Sequence, residues 1–124
     1  MLKKLTALLA ILIASSWVNA QDDFRLIQAV KGQDIATVRI LLDSGIDVNE
    51  IATDGSRALH WSIHRDNAEI SRLLIEAGID VNAKNRYEVA ALSLAANNGN
   101  SELVSILLES GAFPNTAMAE MKLL

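Results

Sequence analysis

Cysteine is absent from the 124 residues. Disulfides, thiolate chemistry, cysteine zinc sites and a lipidated N-terminal cysteine are thereby excluded. The redox compartment stays open, because a disulfide-free protein is allowed anywhere, and the fold must be held by burial alone. Aromatic residues make up only 4% of the chain while hydrophobic residues reach 51%. That mix suits Leu, Ile, Val and Ala packing between helices better than an aromatic-rich sheet. Positive charge is the scarcer sign: eleven Lys and Arg face fifteen Asp and Glu, for a formal net charge of −4. Two of the bases, Lys3 and Lys4, fall in a first stretch of twenty residues that has no acid, which leaves nine bases against fifteen acids, or −6, in the remainder. Such a balance argues against nucleic acid, whose binding is dominated by phosphate neutralisation. The bases are also scattered along the sequence and form no cluster in it. After residue 20 no hydrophobic run approaches the roughly 20 residues that a membrane-spanning helix needs.

Residues 1–20 read as a secretory signal peptide. Lys3 and Lys4 form the charged start, Leu5 to Ile13 is apolar but for Thr6, and Val18-Asn19-Ala20 presents small residues for cleavage after Ala20. Gln21-Asp22-Asp23 opens a polar mature chain. The expected destination is a periplasm or the cell exterior, with no membrane contact once the leader is removed. An uncleaved anchor is the alternative, and its apolar run is short for a span.

The mature sequence is organised by one recurring phrase. Gly45-Ile46-Asp47-Val48-Asn49 returns as Gly78-Ile79-Asp80-Val81-Asn82 and, altered, as Gly111-Ala112-Phe113-Pro114-Asn115. The asparagines are 33 residues apart both times, and a fixed period of about that length marks a stacked repeat array. Each phrase follows an apolar run, at Ile40-Leu41-Leu42, Leu73-Leu74-Ile75 and Ile106-Leu107-Leu108. Each run meets its Gly three residues on, a helix stop that supplies a left-handed residue without a Cβ clash.

Taken in order, Phe24 to Val30 has helical apolar spacing at Leu26, Ala29 and Val30. Asp22 or Asp23 is the expected cap. Gly32 marks a turn, and Asp34 is the expected N-cap of a second helix running to about Ser44. The second unit repeats the layout, with a tight turn at Asp54-Gly55, a short helix over 58–64, a break at Asp66-Asn67 and a helix over 68–77. The third has 90–97, then Gly99-Asn100, then 101–110. Leu26, Leu59 and Leu92 keep the 33-residue register, as do Leu41, Leu74 and Leu107. No unit can bury its apolar face alone, and three stacked units are about the minimum for a continuous core.

This layout resembles the ankyrin-repeat family over roughly Asp22 to Asn115. The Leu-Leu-x-x-Gly-x-Asp-Val-Asn endings, the helix positions Ala29 and Ala95 and the register carry the likeness. The resemblance implies an all-α solenoid of about three helix-turn-helix units with hairpin-like loops, at about 22–50, 51–83 and 84–115. The opening Thr-Pro-Leu-His of the family is poorly kept: it reads Arg57-Ala58-Leu59-His60 and Ala90-Ala91-Leu92-Ser93. The capping hydroxyl and the helix-starting Pro are missing, which weakens the helix starts. Residues 116–124 form a tail with Met118, Met121, Leu123 and Leu124. It is expected to fold back as a short cap over the end of the array; a truncated longer array and a partner-binding end are the alternatives. Pro114 stands where the other units have Val and redirects the chain.

Chemistry finds little footing. His60 and His64 stand four apart on one helix, a spacing at which two imidazoles can share a metal, but Trp61 follows the first His and no third ligand suggests itself. His60 also falls on the structural His of the family pattern, so no metal site is expected. No hydroxyl sits in a nucleophile turn, and no Gly-rich phosphate loop appears. The carboxylates Asp43, Glu76 and Glu109 recur at one repeat position, which marks a solvated helix end. No catalysis and no cofactor are expected.

What remains is a surface. In the family, hairpin tips and first-helix faces line a concave groove. Carried onto this sequence, those positions are Thr53, Asp54, Ser56, Trp61, His64 and Arg65 in the second unit. In the third they are Arg86, Tyr87, Val89, Asn97 and Asn98. Trp, Tyr and Arg are residue types that make hot spots when buried between proteins. For Trp61 the competing reading is packing between units, and for Arg86 and Tyr87 an ordinary solvated loop. The resemblance therefore implies an exported, non-catalytic protein that binds a protein partner, such as a periplasmic enzyme, a toxin to be neutralised or an envelope component. The alternatives are a subunit that self-associates through its C-terminal end and a secreted effector.

Overall fold

A computed structural model of the chain describes residues 24–114. Among these residues six helices follow one another: α1 (Arg25–Lys31), α2 (Ile35–Asp43), α3 (Ala58–His64), α4 (Ala68–Glu76), α5 (Ala91–Asn97) and α6 (Ser101–Glu109). They alternate between seven and nine residues. Isolated helices this short are not stable in water, so packing must hold them. The expected leader, the cap residues Asp22 and Asp23, and the tail from Asn115 onward lie outside the described residues. The N-cap position of α1 is Phe24, which brings no side-chain cap bond.

Caps divide the helices into two kinds. The second helices of the three units start on Asp34, Asn67 and Asn100, whose side-chain oxygens accept from the N–H of Thr37, Ile70 and Leu103 at 3.2, 3.0 and 3.1 Å. The first helices start on Phe24, Arg57 and Ala90 with no side-chain cap bond. These are the weak starts that the lost hydroxyl implies. The second helices stop as expected, with Gly45, Gly78 and Gly111 at φ of 80°, 91° and 96°. The N–H beyond each returns to the helix, as from Ile79 to the Leu74 carbonyl at 3.2 Å.

The first helices stop at the expected turns, at Gly32, before Asp66-Asn67 and before Gly99-Asn100. Gly32 has an ordinary φ of −83°, and the left-handed position falls one residue later, on Gln33 at φ 55°. Its counterparts are Asp66 at φ 52° and Gly99 at φ 71°. A side chain at this strained position has a use: Gln33 Oε1 accepts from Asn67 Nδ2 at 3.3 Å, and Asp66 Oδ1 from Asn100 Nδ2 at 3.0 Å. Both bonds tie one unit to the next.

The units stack in register. Leu26, Leu59 and Leu92 are all buried, as are Leu41, Leu74 and Leu107. The first helices form one layer and the second helices another, and α1, α3 and α5 pack against one another more extensively than α2, α4 and α6 do. Small buried residues at one position of the first helices, Ala29, Ser62 and Ala95, permit that approach. The second helices therefore form the looser layer, and the first helices the tighter one. The recurring asparagines span the units: Asn49 Oδ1 accepts from Asp80 N–H and Asn82 Oδ1 from Phe113 N–H, both at 2.8 Å. Asn82 Nδ2 also donates to the Gly111 carbonyl at 3.1 Å.

Candidate partner-binding groove

In a stacked array the same position of successive units makes a row. One row of the first-helix layer is Gln28, Trp61 and Leu94, and the next is Lys31, His64 and Asn97. Trp61 is half-buried and packs its inner edge on the core. Its ring is surrounded. The Lys31 ammonium lies 4.6 Å from the ring centroid and the Arg65 guanidinium 5.7 Å from it. The His64 ring meets it edge-on at 5.5 Å between centroids. A cation over an indole face is drawn to the ring quadrupole. The buried Trp61 Nε1–H has no hydrogen-bond partner among the described residues.

The loops supply the other wall. In the second-unit loop Ala52 N–H donates to the Ser56 carbonyl at 2.9 Å, and in the third Asn85 N–H donates to Val89 at 3.0 Å. Two arginines tie one loop to the other: Arg57 Nε donates to the Lys84 carbonyl at 2.9 Å, and Arg86 Nη1 to the Asp54 carbonyl at 3.0 Å. Gly55 is needed for this approach. Its φ is 82°, and a Cβ there would sit 2.6 Å from Arg86 Cβ. The matching residue of the third unit is Glu88, held at φ 62°. Arg86 also lies over the Tyr87 ring at 5.1 Å, and Tyr87 is 72% exposed.

Between these walls is a hollow of about 340 Å³. Of the expected residues, it gathers Asp54, Ser56, Trp61, His64, Arg86 and Tyr87. Arg65 stands over Trp61 outside the lining. Thr53 and Asn97 are exposed beyond it. Val89 is half-buried and gives its carbonyl to His60 Nε2 at 2.8 Å. Asn98 spends its amide on the Ile63 carbonyl at 3.2 Å, closing the end of α3. The hollow also includes His60, Gly55, Asn85 and Leu94, and Lys31 lies over the Trp61 ring that helps line it. The register signals two of these: Leu94 is one period after Trp61, and Lys31 one period before His64.

Two titratable groups of the hollow are shifted by their surroundings. Burial pushes the His60 imidazole below its usual 6.5, and the bond to Val89 opposes that only in part. With Nε2–H committed to Val89, Nδ1 is a buried acceptor with no partner among the described residues. Asp54 is held below the usual carboxylate range chiefly by the Ser56 hydroxyl at 2.6 Å and by the Ser56 N–H at 3.0 Å. Among the described residues no three of His, Cys, Asp and Glu are placed to hold a metal. His60 faces Val89 and His64 faces Trp61.

A family model described as ankyrin repeats in three copies matches residues 6–118. The match begins inside the stretch read as a leader, where Leu8 and Leu9 stand 33 residues before Leu41 and Leu42. A search of curated proteins finds no match to the chain.

Proposed function

Because the chain belongs to the ankyrin-repeat family, whose repeats are generally protein-protein interaction modules and typically non-catalytic, we propose that it is an exported, non-catalytic module that holds a partner protein in the groove around Trp61. The observation that carries this reading is the hollow itself, walled by Trp61, Leu94 and Tyr87 and framed by loops locked to each other through Arg57 and Arg86. A surface fixed in this way loses little ordering entropy on binding. Export rests on the leader read in residues 1–20. Among the described residues no helix is long and apolar enough to cross a membrane.

The test is a pull-down from cell-envelope extract with wild type and with a Trp61→Ala, Arg86→Ala, Tyr87→Ala triple variant, both checked for helicity by circular dichroism. A protein retained by the wild type and lost from the variant supports the groove. One retained equally by both moves the site elsewhere. N-terminal sequencing of the accumulated chain tests the leader: a start at Gln21 supports export, and a start at Met1 or Leu2 overturns it. Self-association through the C-terminal end is a second reading, favoured by the exposure of Leu108 and Phe113 in the last described unit. A concentration-dependent dimer abolished by Leu123→Asp with Leu124→Asp is its signature.

A further inference from the structure

We infer that the groove takes an acidic, extended segment of its protein partner, with carboxylates drawn to Lys31, Arg65 and Arg86 and an apolar side chain seated between Trp61 and Tyr87. This rests on the groove reading above and adds the chemistry of what is bound.

Charge carries the argument. The arginines of the second helices are neutralised within the array, Arg39 by Glu69 at 3.1 Å and Arg72 by Glu102 at 3.2 Å. The groove cations are not. Lys31 and Arg65 lie over Trp61, and Arg86 lies over Tyr87 with one donor on a backbone carbonyl. No carboxylate of a described residue lies within ion-pair distance of any of the three. The one carboxylate in the lining is Asp54, which feels Lys31 weakly and spends its Oδ1 on Ser56. Lys31 and Arg65 lie over the same ring, where like charges repel one another and the ring quadrupole offsets this only in part. A bound anion relieves the repulsion. Three cations stand here with one carboxylate, Asp54, in the lining, in a chain whose net charge is −4.

The arrangement of the cations selects a peptide over a small anion. Lys31 belongs to the first unit, Arg65 to the second and Arg86 to the third. A ligand that engages all three runs along the array, across the apolar hollow. Arginine guanidinium retains further N–H donors after one bond, in a fork that matches a carboxylate. A single-stranded nucleic acid shares the anionic and stacking chemistry, but the net negative charge opposes a polyanion far more than a segment with a few carboxylates.

A displayed library of random dodecapeptides, panned on the whole chain and counter-screened on Trp61→Ala with Tyr87→Ala, tests the inference. The expected binders are rich in Asp and Glu with one bulky apolar residue, and they weaken as salt rises. They lose at least about tenfold in affinity on Lys31→Glu with Arg65→Glu, a variant whose unchanged circular dichroism shows an intact fold. The same peptides with Lys in place of each acid regain affinity on that variant. Groove-dependent binders that are neutral or basic overturn the inference and leave the groove reading standing. Binders that ignore Trp61 and Tyr87 overturn both. An oligothymidylate that binds the groove more tightly than any selected peptide overturns the acidic-peptide assignment.

Discussion

The two faces of the array use the same residue types in opposite ways. On the outer face, Arg39 and Arg72 each reach across to the next unit and meet Glu69 and Glu102. On the inner face, Lys31, Arg65 and Arg86 meet rings and a carbonyl instead. An arginine paired within the repeat lattice is part of the scaffold. One held over an aromatic ring is positioned without being neutralised, and it remains available to a ligand. Counting charges by face therefore says more about function here than the net charge does.

The strongest way to break the contrast is Gly55→Ala. It places a Cβ 2.6 Å from Arg86 Cβ at a φ of 82°. The loops must separate, stability falls by at least about 1–2 kcal/mol, and partner binding drops with it. Thermal unfolding and the pull-down read the two effects. Asn82→Ala comes next. It removes the bonds to Phe113 N–H and the Gly111 carbonyl and costs about 1–2 kcal/mol in urea denaturation, loosening the third unit under both faces.

A pH series sharpens the inner side. Folded His60 titrates below its usual 6.5 because it is buried. The unfolded chain therefore takes up a proton that the folded chain refuses. The His60 contribution is fully present above about pH 6.5 and is lost as pH falls from there toward the folded value. Urea midpoints should decline as pH falls below about 6.5, and His60→Gln should flatten that slope. Asp54 acts in another window: its folded value is lowered, so its contribution persists above the ordinary carboxylate value and is lost only below it. The smallest effect belongs to the outer face. Glu69→Gln with Glu102→Gln should cost at most about 0.5–1 kcal/mol, since both pairs are exposed. Binding should not change; a loss comparable to that of Lys31→Glu with Arg65→Glu would erase the distinction between the faces.

The period of the asparagines makes the solenoid legible in the sequence, because a repeat forces helix, stop and loop to recur together. Asp34 as a cap and Gly45 and Gly78 as stops followed from local chemistry that needs no tertiary context. The turn at Gly32 is legible, but its left-handed residue is not, because Gln33 takes that backbone and accepts a bond from Asn67 thirty-four residues away. The groove was half legible. Trp61, Arg86 and Tyr87 announce themselves by residue type. Lys31 did not, since in sequence it is one of several scattered bases and only the stacking carries it to within 4.6 Å of Trp61. Asn98 is exposed, as expected of a surface position, and nothing local shows that its amide also closes the helix of the preceding unit.

The groove draws on every unit: Lys31 from the first, Trp61 from the second, Tyr87 and Leu94 from the third. Linear arrays are prone to fraying from their ends, because each unit is held only by its neighbours. A ligand lying across all three can stay only while the first and third units remain docked on the second. Occupancy then links the ends energetically, and the affinity of the partner is added to the free energy of melting either one. Bound, this short stack should melt as a single cooperative block, and proteases that nibble at a loosened end unit should find it closed.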